Sequence, residues 1–177
     1  MPENYRLPIR IGKFILRRLT ADDLPAFLAY RSDPEVARYQ SWGETDENSA
    51  RRLITHMAQA QIPMPGEWSQ IAVAGEDGFL LGDMGLHLND TGTEAEVGIT
   101  LARAAQGNGV ATQAVRAAVA FLFQTPTLGR VIAIADKRNA AAIRCMEAAG
   151  FVFTHEADFT EEDGTITPEV HYEMRRI

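Results

Sequence analysis

The sequence predicts an α+β (mixed α/β) fold in which strands flank helices rather than alternating strictly as β-α-β. Three observations carry this. Residues 68–101 read as three successive strands. Two helical segments follow, Gly107 to Phe123 and Asn139 to Ala149, with an apolar strand between them. The chain then closes on a further strand pair. At 177 residues and 46% hydrophobic, it is long enough to bury a full core without disulfides or a metal, and one domain over residues 1–177 is expected.

In order, Lys13 to Leu19 reads as a first strand and Thr20 as the cap of a helix over Asp22 to Arg31. The acidic first turn suits the helix dipole. After the Ser32-Asp33-Pro34 turn, Pro34 can open a short helix. Asp46 to Gln61 is a longer helix, stopped by Pro63 and Pro65. Trp68 to Ala74 and Phe79 to Leu88 form a hairpin about Gly75 to Gly78, and Thr93 to Leu101 is a fourth strand. In the helix from Gly107, the polar positions Gln113, Arg116 and Gln124 leave only a narrow stripe for water. Val131 to Ala135 is a strand, and Gly150 ends the next helix at a C-cap position. Phe151 to Phe159 and Val170 to Arg176 pair around a loop from Glu161 to Pro168.

Composition removes several function classes. A formal charge of −7 argues against nucleic acid as a general partner. Cys145 stands alone, so neither a disulfide framework nor a cysteine metal site can form, which fits a reducing cytoplasm. The four histidines show no metal-ligand spacing, and no metal is expected. The N-terminus lacks a signal peptide's apolar run, and no stretch is long enough to span a membrane.

The informative segment runs from Glu96 to Leu101, through a short connector, into Gln106-Gly107-Asn108-Gly109-Val110-Ala111-Thr112. It is a strand, then a glycine turn opening a helix. Helix N-termini carry unpaired N–H groups and the positive dipole end, and so bind anions. Gly107 and Gly109 admit close backbone approach, and small Ala111 and Thr112 keep the first turn open. No Gly-Lys-Ser/Thr ends the turn, and Thr112 holds the third-glycine position of a dinucleotide fingerprint, so neither rival phosphate motif fits. In the second segment, Asn139 opens a helix as a plain N-cap or as a ligand contact.

Together these segments resemble the GCN5-related N-acetyltransferases (GNAT). Gln106, Gly109 and Ala111 match that family's acyl-CoA signature, and Asn139, Gly150 and Phe151 match its following motif. Leu16 to Leu19, Ser32 to Val36 with Trp42, Ile71 to Val73, Leu81 to Leu86 and His171 to Met174 resemble the subgroup of ribosomal-protein N-terminal acetyltransferases. The resemblance implies a mixed sheet of six to seven strands, splayed between strands four and five, with helices on both faces. It implies acetyl-CoA as cosubstrate. The pantetheine would pair along Ile99, Thr100 and Leu101. The pyrophosphate would sit on the amides of Gly107, Asn108, Gly109, Val110, Ala111 and Thr112, with Gln106 beside it and Asn139 on the coenzyme. The acceptor would be an amine, on a small molecule or a protein N-terminus, and the protein a monomer or homodimer.

Amine attack on a thioester needs a proton acceptor, since alkyl ammonium groups titrate near about 10 and α-amines near about 8. Glu96 is the first candidate. Strand alternation sets it opposite Ala95, Val97 and Ile99, just upstream of the expected thioester. Glu94 and His87 are lower alternatives. A main-chain N–H around Val97 to Ile99 would meet the oxyanion. Many relatives place a Tyr where this chain has Met146, which has no proton to donate. Cys145 reads as a small core residue rather than a nucleophile. Tyr39, Trp42 and Trp68, with Arg38, Glu44 and Glu47 nearby, are acceptor-site candidates by location. A non-catalytic acyl-CoA-binding module is the alternative function.

Overall fold

A computed structural model describes residues 6–40 and 42–177. The first five residues of the N-terminal segment lie outside them. The chain folds as β1 (Ile9–Ile11), β2 (Phe14–Arg17), α1 (Leu24–Arg31), α2 (Pro34–Ala37), α3 (Glu47–Gln59), β3 (Trp68–Gly75), β4 (Leu80–Leu88), β5 (Glu94–Leu101), α4 (Val110–Leu122), β6 (Arg130–Asp136), α5 (Ala140–Ala149), β7 (Val152–Thr160) and β8 (Ile166–Arg175). All eight strands join one sheet in the order β1-β2-β3-β4-β5-β6-β8-β7. Every pairing is antiparallel except β5 with β6.

Among the described residues the sheet has eight strands, not six or seven. The segment read as one first strand is the second arm of a hairpin, because Gly12 takes φ +57° and turns the chain back on Ile9–Ile11. The final strand starts at Ile166, before Pro168, where a loop was expected. Pro168 is tolerated because it lies past the last rung to β6, and its missing N–H faces the Lys137 turn, whose own N–H donates to Pro168 O at 2.8 Å.

Two apolar clusters sandwich the sheet. On one face α4 buries Val110, Ala114, Val115, Ala118, Val119 and Leu122 over the central strands, with α5 beside it. Gln113, Arg116 and Gln124 form the expected solvent stripe. On the other face, Leu24, Phe27 and Tyr30 of α1 and Ala50, Ile54 and Met57 of α3 pack on Ala72 and Leu80. These helices cover only the β2–β4 end, so that face stays open over β5–β8.

The β4–β5 contact fixes how close the site strands lie. A Cβ at Gly82 would meet Thr100 O at 2.1 Å and Leu101 Cα at 2.8 Å, both backbone. Gly82→Ala is therefore expected to cost about 1–3 kcal/mol of stability. Urea unfolding reads it as a lowered midpoint at constant slope; an unchanged midpoint would contradict the close approach.

Candidate active site

The site begins where the sheet splits. β5 and β6 pair only at Glu94↔Arg130, Ala95↔Val131 and Glu96↔Ile132. Beyond Glu96, β5 pairs with β4 alone through Leu101, while β6 continues along β8 to Asp136↔Glu169. The residues 97–101 thus present an unpaired strand edge, and backbone polar groups there require partners. A cleft of about 580 Å³ opens at the split, lined by Glu96 to Thr100 on one wall and Ala133 to Asp136 on the other.

At one end of the split stands the glycine turn. Gly107 and Gly109 have φ of +80° and +73°, a region that favours glycine. Those angles cannot belong to a helix, so α4 starts at Val110, three residues later than its sequence suggests. Gly109 is the N-cap without any side chain to satisfy the first amides, and the first intrahelical bond is Gln113 N to Gly109 O at 3.2 Å. The N–H groups of Val110, Ala111 and Thr112 have no intrahelical acceptor, which is the geometry for holding an anion.

At the other end Glu96 is half-buried in the cleft wall. Burial, with the charges of Glu169 and Glu94 added, pushes its carboxyl up to about 7. Beneath the cleft lies a polar cluster that the sequence reading missed. Arg31 at the end of α1 donates to Asp83 of β4 at 2.7 Å, and the Tyr30 hydroxyl donates to the same carboxylate. Desolvation pushes the Asp83 carboxyl above the usual range, opposed by Arg31. The Arg31 guanidinium is sandwiched between the rings of Phe27 and Trp42, at 4.4 and 4.2 Å. One signal was available: an aspartate within the otherwise apolar run of β4. Three buried polar side-chain atoms among the described residues lack a hydrogen-bond partner: Trp42 Nε1, Gln70 Oε1 and His171 Nε2. The first two belong to cleft-lining residues, and orphaned polar atoms are uncommon in a settled core.

A split sheet, a side-chain-free helix N-terminus on a glycine turn and a half-buried carboxylate thus share one cleft region. The family model of an acetyltransferase (GNAT) domain matches residues 13–152. The chain belongs to the GNAT acetyltransferase family. GNAT members are acetyl-CoA-dependent acyltransferases, and acetyl-CoA is the cosubstrate. An "Uncharacterized N-acetyltransferase p20" of Bacillus licheniformis is 27% identical over 141 residues, 78% of this chain and 79% of that protein. A GNAT-family acetyltransferase structure from Bacillus anthracis superposes with a TM-score of 0.84 at 20% identity, over 96% of this chain and 98% of that one. The ribosomal-protein-S5-alanine acetyltransferase of Vibrio fischeri gives 0.80 at 15% identity, over 96% and 97%.

Within this GNAT domain, the expected residues distribute as follows. Ile99 and Thr100 line the cleft, whereas Leu101 turns into the core. Gln106 folds back, its Nε2 donating to Leu101 O at 3.1 Å, so it braces the turn to the end of β5. Asn139 lines the cleft and caps α5, its Oδ1 accepting from Ala142 N at 3.1 Å. Asn108 is exposed between the two glycines. Tyr39, Trp42 and Trp68 all reach the cleft; Trp68 is 46% exposed, and Arg38 lies 5.2 Å over Tyr39. His87 does not line it: it pairs opposite Glu96 and its ring packs 5.3 Å from Trp68. Glu94 is engaged by Arg130, and Glu47 by Arg51 at 2.6 Å on the exposed start of α3; neither they nor Glu44 line the cleft. Cys145 faces Thr112, and burial pushes its thiol up, away from nucleophile chemistry. No His/Cys/Asp/Glu group able to hold a metal occurs among the described residues. Nor is any helix among them long and apolar enough to cross a membrane.

Proposed function

We propose that the whole chain works as one N-acetyltransferase unit, moving an acetyl group from acetyl-CoA to a primary amine by direct attack, with Glu96 as general base. The supporting observation is Glu96 itself: a half-buried carboxylate at the upstream end of the unpaired β5 edge, pushed up to about 7. A base poised near neutrality accepts a proton from an ammonium while remaining largely ionised just above it. In this reading the ammonium gives its proton to Glu96, directly or through water. The nitrogen then bonds to the acetyl carbon, the C–S bond breaks, and the coenzyme leaves as the thiol with the proton lost from nitrogen. A β5 main-chain N–H between Val97 and Ile99 faces the developing oxyanion. The amides of Val110 to Thr112 hold the pyrophosphate, with Gly107, Asn108 and Gly109 forming its turn.

Trp42, Trp68 and Tyr39 build the acceptor wall. The acceptor is a protein N-terminus or a small-molecule amine, and the lone Cys145 suits a cytoplasmic setting. Met146, buried at the position where a proton-donating Tyr is common, is the one observation favouring a non-catalytic acyl-CoA-binding module. Acetyl-CoA consumption across an amine panel separates the two: the transferase reading expects turnover with some amine, and the module reading expects binding without any.

The turn gives a direct test. Gly109→Val places a β-branched side chain at φ +73°. It is expected to weaken acetyl-CoA binding by about 10-fold or more, the equivalent of roughly 1.4 kcal/mol. Calorimetry measures it, and full affinity in a folded Gly107→Val/Gly109→Val protein would count against pyrophosphate binding here.

A further inference from the structure

Gly98 is the one exposed residue of β5. It lines the cleft, and its neighbours on the same face of the strand, Glu96 and Thr100, are half-buried and buried. Its φ is not positive, and a Cβ placed on it would meet no atom within 4 Å. Neither the backbone angle nor the packing therefore requires glycine. Glycine inside a strand costs stability, and it often marks a place where a ligand approaches the backbone closely.

The row that Gly98 ends shows where such a ligand lies. Gln70, Gly85 and Gly98 stand opposite one another on β3, β4 and β5. Their side-chain positions share one face of the sheet, the face that α1 and α3 leave open over β5. The two glycines differ. A Cβ at Gly85 would stand 3.0 Å from the Trp68 ring and 3.2 Å from Gln70 Oε1, so those side chains already fill the space above it. Above Gly98 no side chain does so. The floor of the cleft is thus closed at Gly85 and open at Gly98, beside the split. A second observation marks the same row: Gln70 Oε1 is buried and has no hydrogen-bond partner.

In the proposed reaction the pantetheine lies in the gap along the edge of β5, which leaves the open face to the acceptor. A nitrogen that gives its proton to Glu96 can extend along this face in only one direction. Upstream, Glu94 is held by Arg130 where β6 pairs with β5. Downstream, the next position on the face is Gly98, about 7 Å along the strand. We propose that Gly98 is a specificity-determining residue of the acceptor site: the space above it receives the carbon that carries the reacting nitrogen, and so admits primary amines branched at that carbon. This rests on Glu96 being the base. A methyl side chain at position 98 would take the room of the second substituent on that carbon, while the main-chain N–H groups of β5 keep their places.

The test uses two pairs of amines that differ by one methyl group on that carbon, ethylamine with isopropylamine and glycinamide with alaninamide. In Gly98→Ala the ratio of kcat/KM, branched over unbranched, is expected to fall about 10-fold or more relative to wild type, the size of effect of one methyl in a fitted pocket. Urea unfolding is expected to show an equal or raised midpoint, since alanine is compatible with this backbone and packing. A ratio that does not change overturns the proposal. So does a loss of acetyl-CoA affinity in Gly98→Ala, because the space would then belong to the coenzyme. Calorimetry of the same amines with the protein–CoA complex reads the ratio without turnover, and separates this proposal from the choice of base. Discrimination in binding by Gly98→Ala, with Glu96→Gln still active, keeps the acceptor pocket and removes the base. An unchanged ratio in both readouts, with Glu96→Gln inactive, keeps the base and removes the pocket.

Discussion

Replacing Glu96 with Gln is expected to lower kcat/KM for the acceptor amine by about 10²–10⁴-fold while leaving acetyl-CoA affinity within about 2-fold. The size is that of a lost general base. The selectivity follows from position: Glu96 sits where β5 leaves β6, at the opposite end of the split from the Gly107–Thr112 turn. Gln keeps the shape and removes the proton acceptor. In the wild type, activity is expected to rise with pH through about 7, as Glu96 ionises, and to level above it. In Glu96→Gln that limb disappears. Stability runs the other way. The folded-state value lies above that of an unfolded glutamate, so the protonated carboxyl is the form the fold prefers. Glu96 therefore costs stability progressively as pH rises from the ordinary carboxylate range through about 7. Glu96→Gln is expected to melt higher than wild type at pH 8 and alike at pH 4. A variant that loses both activity and stability at pH 8 would mark Glu96 as structural.

Arg31→Ala is expected to destabilise the fold by about 3–5 kcal/mol, the range for breaking a buried ion pair by removing one partner. The Asp83 carboxylate is fully enclosed, and without Arg31 only the Tyr30 hydroxyl remains bonded to it. Its carboxyl, already raised by burial against Arg31's opposing pull, then rises further and takes up a proton on folding. By linkage the loss of stability grows with pH. Urea midpoints at pH 5 and pH 8 measure it, and equal losses at both would show that packing, not charge, dominates. The indole of Trp42 also loses the cation stacked 4.2 Å above it, so the acceptor wall is expected to loosen in any fraction that folds. The double replacement Arg31→Met/Asp83→Leu removes both charges and is expected to recover most of the stability, as apolar substitutes for buried pairs do.

The turn and its helix were legible because their signals are local. Gly-Asn-Gly followed by small residues reports backbone angles and an open helix start without any knowledge of the fold. The hairpin of β3 and β4 declared itself by the Gly75 to Gly78 turn, and Asn139 and Gly150 bracketed α5 as caps. Glu96's face followed from alternation. Local signals failed where the deciding partner was distant. The bond from the Gln106 amide to Leu101 O at the end of β5 carries no local signal in the sequence. His87 and Glu94 were lower alternatives to Glu96, and what occupies them comes from neighbouring strands, Trp68 in one case and Arg130 in the other.

By itself the sequence determined the α+β class, the glycine turn at the head of the central helix, the family resemblance and the strand carrying Glu96. The tertiary structure decided the rest: the eighth strand, the Arg31–Asp83–Tyr30 cluster, and the cleft at the β5–β6 split into which Glu96 is half-buried. The physical reason is range. Backbone angles, caps and alternation are fixed within a few residues, whereas a carboxylate's proton affinity depends on water excluded and charges placed by strands more than seventy residues apart.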